Sequence, residues 1–255
     1  MSRAIFVPSS KGGVGKTTFA RLLAEMLRES NSGAVLVDAD QGVGQLLKHL
    51  GERDTNGKLV PTQSIEHGVQ VMDWHADVRG RDRLAEMVGH GKDVLIDMPG
   101  GSLGTFRILD DETGFFTRVL PAMGVAATIC VLVTPYVETW SDAKSVREWV
   151  PNANLLLVRN EAFGEPLDFR DWDASETRAD LKRYGATEIV LPRLEPRIAA
   201  RIAQYRLRFH DAPTSEKVHV MDQGRAFAWL RKAQVALSEA CAILALEPTA
   251  RQGTA

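Results

Sequence analysis

Six short runs of the chain are apolar almost without interruption, at residues 4–7, 34–37, 94–96, 127–133, 154–158 and 188–191, and 69–72 reads as a seventh at an edge. Between them apolar positions return every three or four residues, which predicts helices over 16–29, 79–89, 112–123, 138–149, 174–184, 197–209 and 223–246. A strand that is hydrophobic throughout suits a parallel sheet covered on both faces. Such strands alternating with helices predict an α/β fold, a doubly wound, mostly parallel sheet flanked by helices. No repeat, low-complexity tract or linker interrupts the pattern. Residues 1–255 therefore read as a single domain with its core over about 3–246 and a flexible tail at 247–255.

The long apolar stretch 119–137 contains Pro121, Gly124 and Pro135, and divides into a helix end and a buried strand rather than a membrane span. The N-terminus enters a strand at once, so no signal peptide is expected. Composition is that of an ordinary soluble chain, 44% hydrophobic and 25% charged with a net charge of −2, so nucleic-acid binding would need a local basic patch. Cys130 and Cys241 give neither a disulfide framework nor a metal spacing and read as buried thiols in a reducing compartment. The six histidines are scattered, and the near pair, His67 and His75, does not suggest a metal site.

The polar residues then decide the picture. Three strand-like runs end in "VLVDAD", "VLIDMPGG" and "CVLVTP", delivering Asp38, Asp40, Asp97 and Thr134-Pro135 to the carboxyl edge of the sheet, where ligands of open α/β sheets bind. At the same edge, "PSSKGGVGKTTF" joins the first strand to the first helix. A glycine-rich turn there aims backbone N–H groups and the positive end of a helix dipole at one point, which suits a phosphate. Ser10 stands where the general G-x-x-x-x-G-K-[ST] pattern has its first glycine, whereas Gly15, Lys16 and Thr17 fit it. Lys16 is placed to bridge the β- and γ-phosphates of a nucleoside triphosphate. The Thr17 hydroxyl is placed to bind Mg²⁺, Asp97 to hold a metal-bound water, and Asp38 to assist.

"KGGVGKTT" resembles the deviant phosphate loop of the ParA/MinD family of ATPases, in which the first glycine position varies. "DADQG" is similar to the family's first switch without its proline, and "DMPGG" to its second switch with Gly100 in place of the penultimate residue. The likeness covers most of residues 3–245, and implies a P-loop NTPase of the SIMIBI type with ATP and Mg²⁺ as cofactors. It implies a cradle of Lys11, Gly12, Gly13, Val14, Gly15, Lys16, Thr17 and Thr18, closed by Gly100 and Gly101. Pro192 joins the nucleotide contacts, and Asn160 either reads the adenine edge or is a turn asparagine. Catalytic roles fall to Lys16, to Asp40, which orients the attacking water, and to Lys11, which reaches across a nucleotide sandwich to the other subunit. A GTPase-type N/T-K-x-D is absent, favouring ATP.

Two outputs of the family differ at their C-termini. Here the chain ends "ALEPTARQGTA", unlike a basic amphipathic membrane helix, so no membrane is expected and the likeness runs to the ParA branch. Its expected partners are a second copy of itself, non-specific DNA and a small ATPase-stimulating adaptor, and its expected setting is the bacterial cytoplasm or nucleoid. On a helix continued through 208, Arg197, Arg201 and Arg208 fall at roughly 0°, 40° and 20°, a stripe fit for DNA phosphates or a merely solvated face. Partition of plasmid or chromosomal DNA is the leading reading. Conjugation, secretion or polysaccharide-export cargo, or an amidoligase of the dethiobiotin or cobyrinate type, remain alternatives.

Overall fold

The computed structural model describes residues 2–30, 33–40, 44–75, 78–89 and 91–246, with backbone alone at 78–81. Its strands are β1 (Ser2–Ser9), β2 (Val35–Asp38), β3 (Val69–Val71), β4 (Val94–Gly100), β5 (Val125–Val133), β6 (Asn154–Asn160) and β7 (Thr187–Leu191). They form one sheet in the order β3-β2-β4-β1-β5-β6-β7, and every pairing is parallel. The sheet is doubly wound, because β1 lies in its middle and the chain moves outward first to one side and then to the other.

The helices are α1 (Lys16–Glu29), α2 (Gln45–Leu50), α3 (Val78–Gly89), α4 (Leu103–Thr113), α5 (Leu120–Ala122), α6 (Val137–Trp149), α7 (Arg170–Asp173), α8 (Glu176–Arg183), α9 (Pro196–Tyr205), α10 (Val220–Ser238) and α11 (Cys241–Leu244). Alternate residues of β1 serve two separate cores. Ala4 and Phe6 pack with Phe106, Phe115 and Phe116 on one face, and Ile5 and Val7 with Phe19, Leu23, Trp229 and Leu230 on the other. Burial on both faces is what makes the strands read as unbroken apolar runs.

Several helix bounds differ from expectation for identifiable reasons. The helix expected at 112–123 is two elements: α4 stops at Gly114, whose φ of 62° is a left-handed cap, and a π-helical turn at Phe115–Val119 leads into α5. The helix expected through 246 ends at Ser238, and α11 follows as a separate turn. The helix expected over 197–209 ends at Tyr205, because Arg206 takes the left-handed conformation with φ 51°. α2 was not expected at all. The tail expected at 247–255 lies outside the described residues.

Candidate functional site

β1 ends at Ser9 and α1 begins at Lys16, so the intervening turn lies at the carboxyl edge of the central strands. Gly13 and Gly15 have φ values of 81° and 95°, which only glycine adopts at little cost. α1 has no side-chain cap and no acid in its first turn, so its leading N–H groups keep the capacity to meet an anion. A Cβ on Gly100 would stand 3.1 Å from the Gly12 nitrogen, so the turn after β4 packs backbone against backbone with the loop.

The Lys16 ammonium is buried and donates to the Ser9 hydroxyl at 2.7 Å and to the Lys11 carbonyl at 3.4 Å. Burial lowers its pKa, opposed by the charges of Asp97, Asp40 and Asp142. Ser9 in turn donates to the Lys11 carbonyl, so one hydroxyl ties the lysine to the loop. The N–H and hydroxyl of Ser10 both donate to Asp142 of α6, at 2.9 and 3.0 Å. Lys11 reaches the same helix, with its ammonium 3.1 Å from Glu138 and both side chains more than half exposed.

Parallel pairing of β2 with β4 sets Asp38 beside Asp97 in register, and both carboxylates are buried. Asp38 accepts the Leu47 N–H at 2.9 Å, which hangs the start of α2 on this carboxylate, and the Asp40 N–H at 3.2 Å. Burial raises the pKa of Asp38, and the backbone donors oppose it. Burial pushes Asp97 up to about 7, against a hydrogen bond from Thr17 and with Asp38 adding to the rise. Its Oδ1 is enclosed without a hydrogen-bond partner. A buried carboxylate oxygen with unused acceptor capacity, beside a threonine hydroxyl, fits the outer sphere of Mg²⁺. Among the described residues no group of three or more His, Cys, Asp or Glu is arranged to hold a metal ion by itself.

Asp40 is half-buried and forms an antiparallel bridge with Asp73; Gln41 and Gly42 of the switch-like segment lie outside the described residues. Asn160 ends β6 with its amide donating to the Val14 carbonyl at 2.9 Å and accepting the Ala162 N–H at 3.2 Å. It thus braces the loop from below, a role that reasoning from the sequence missed. A Cβ on Gly15 would come 2.4 Å from Asn160 Nδ2. Gly15→Ala is therefore expected to cost about 1–3 kcal/mol, through strain and displacement of Asn160. Chemical denaturation measures it, and an unchanged midpoint would refute the contact. The Pro192 carbonyl accepts the Trp229 indole N–H at 2.8 Å. Thr18 is exposed on α1, and Gly101 turns the chain after β4 with φ 78°.

The arginine stripe does not exist as expected. Arg208 lies beyond the end of α9 and pairs with Asp211 through two contacts of 2.9 Å. Arg197 is bound by Glu195 at 2.9 Å and by Asp222. Among the described residues, only Arg201 of the three lacks a carboxylate partner, lying over the Tyr205 ring at 6.0 Å. Ser9 and Asp142 are further site residues missed in the sequence. Ser9 stands in the quoted loop segment, but nothing in a local pattern joins positions 132 residues apart, as Ser10 and Asp142 are.

Comparisons with known proteins agree with this geometry. A family model described as "ParA: NUBPL iron-transfer P-loop NTPase" matches residues 1–91, the segment that carries the loop and β2. The septum site-determining protein MinD of Thermotoga maritima is 27% identical over 168 residues, and the match spans 57% of each chain. Protein MobD of Acidithiobacillus ferrooxidans is 20% identical over 219 residues, 81% of this chain and 85% of that one. Among solved structures, MinD of Pyrococcus horikoshii complexed with Mg-ADP superposes with a TM-score of 0.50 at 20% identity, covering 90% of this chain and 94% of that one, a likeness of fold.

Proposed function

Because the chain belongs to the ParA/MinD family of P-loop ATPases, we propose that it binds ATP with Mg²⁺ in the loop of residues 11–18, pairs with a second copy over the nucleotide, and hydrolyses ATP slowly to position a cargo. The observation that carries this reading is the convergence at one sheet edge of a buried Lys16, an uncapped helix start and two buried aspartates in register.

Lys16 exchanges Ser9 and the Lys11 carbonyl for the β- and γ-phosphate oxygens, and the free N–H groups of α1 and the loop take the remaining charge. Thr17, Asp97 and Asp38 would hold the Mg²⁺; a MinD of this fold from Pyrococcus horikoshii is complexed with Mg-ADP. Bound there, the cation would supply positive charge to neutralise the transferred phosphoryl group. Asp40 orients the attacking water. Lys11 leaves Glu138 and meets phosphate in the opposite subunit, with Asp142 keeping the first half of the loop in place through Ser10. Pro192 and Asn160 line the base side, Asn160 through its hold on Val14. Residues 1–255 act as one catalytic domain. ATP turnover by the purified protein tests the reading. Release of phosphate that requires Mg²⁺ supports it, and a preparation that binds ATP no better than an unrelated protein refutes it.

The cargo is DNA, in the manner of partition ATPases, engaged with the help of a small adaptor that stimulates hydrolysis; no helix among the described residues is long and apolar enough to cross a membrane. Direct contact from α9 rests on Arg201, since ion pairs hold Arg197 and Arg208. One phosphate contact per subunit gives a dimer a salt slope from this helix of about −2. Arg201→Ala is expected to remove it and Arg208→Ala to leave it unchanged, as read from DNA titrations at several salt concentrations. A slope lost with Arg208→Ala instead would restore the stripe.

A further inference from the structure

Away from the phosphate loop, the end of α2, the loop over 51–61 and the turn that closes α9 border an open cavity of about 760 Å³. Four cations line it, Lys48, Arg53, Lys58 and Arg206, beside an apolar wall of Leu59, Val60 and Pro61. Among the described residues no carboxylate pairs with any of the four. Asp54, the one acid of the lining, spends Oδ1 on the Asn56 and Lys58 N–H groups, both at 2.9 Å, and so closes its own turn. The Arg53 guanidinium donates to the Gly57 carbonyl at 2.8 Å and the Lys48 carbonyl at 2.6 Å, which fixes the loop to the end of α2. Lys48, Lys58 and Arg206 are exposed.

Like charges from three separate segments repel one another, in a chain whose net charge is only −2. His49, on the same helix, registers the field: burial and then the charges of Arg21, Arg206, Arg53 and Lys48 push its pKa down to about 4. Its Nδ1 is enclosed without a hydrogen-bond partner. An open cavity of this volume has room for a small molecule. Arginine forks and lysine point charges are the side chains that bind phosphate, and the apolar wall can take a ring or hydrocarbon part.

We propose that this cavity binds a small ligand carrying two or more phosphate groups, at a site separate from the nucleotide of the phosphate loop. α2 connects the two places, since its start hangs on Asp38 while Lys48 near its end lines the cavity.

Inorganic tripolyphosphate is the probe, titrated calorimetrically without Mg²⁺ into the full chain carrying Lys16→Ala, which disables the phosphate loop. One binding event is expected to remain. Adding Lys58→Glu and Arg206→Glu should weaken it by roughly 10- to 100-fold, less than two buried charge-assisted contacts would give, because both side chains are exposed and screened by water. Adding Lys232→Glu, an exposed change on α10, should leave it unaltered. Far-ultraviolet circular dichroism melting of each variant confirms that the fold is kept. Absence of binding to the Lys16→Ala chain, or equal affinity after the double reversal, overturns the proposal. So does a short DNA duplex that displaces tripolyphosphate and binds more tightly through the same cations, which would make the surface a nucleic-acid site. ATP binding by the wild-type loop is measured separately, so failure here leaves the ATPase reading standing, and failure there leaves this one.

Discussion

Lys16→Ala abolishes ATP binding at micromolar nucleotide while the protein stays folded: that is the largest single effect expected of this chain. The ammonium is the one buried cation of the loop, and its present partners are a hydroxyl and a carbonyl rather than a carboxylate. Charge-assisted hydrogen bonds contribute about 1.5–3 kcal/mol each, so two lost phosphate contacts weaken binding by roughly 10²–10⁴-fold. Stability should change little without nucleotide, because burial already penalises the charge, as its lowered pKa records. A fluorescent ATP analogue titrated with Mg²⁺ gives the affinity, and thermal unfolding gives the stability. Affinity within a few-fold of wild type would place the nucleotide elsewhere.

Asp40→Ala carries the second large effect, and it acts on a different step. Asp40 follows β2 by two residues, is half-buried, and donates its N–H to Asp38. If its carboxylate orients the attacking water, its loss removes hydrolysis by about 10²–10⁴-fold and leaves nucleotide affinity intact. Single-turnover phosphate release separates the two quantities. A variant that hydrolyses ATP at the wild-type rate would take Asp40 out of the chemistry.

Much of this site could be read from the chain because its parts are local. The loop of residues 11–18 is contiguous, and Asp38 and Asp97 close strands whose unbroken hydrophobicity announces a buried parallel sheet. What escaped is what only the tertiary fold joins. Asp142 meets Ser10 because α6 crosses the loop, and Asn160 meets Val14 because β6 ends beneath it. α4 stayed hidden behind Gly101 and Gly104, although Leu103, Phe106 and Leu109 bury one face of it. The arginine stripe failed for a converse reason. The helical period stops at Arg206, where a left-handed residue ends α9, and the acids that pair with Arg197 and Arg208, Asp222 and Asp211, lie outside the arginine-rich window. The four cations of the second cavity come from positions 48 to 58 and from 206, so no sequence window contains them.

A nucleotide-switched dimer is the center of the account, and light scattering of the Asp40→Ala protein tests it most directly. Blocked hydrolysis should trap the ATP state, so with ATP and Mg²⁺ the molar mass is expected at twice the 28.0 kDa of the chain, and with ADP at 28.0 kDa. Adding Lys11→Ala to the same protein should return it to 28.0 kDa in ATP, because Lys11 is the residue proposed to cross to the partner's phosphates. A mass of 28.0 kDa for Asp40→Ala with ATP bound, or a doubled mass that survives Lys11→Ala, contradicts the account.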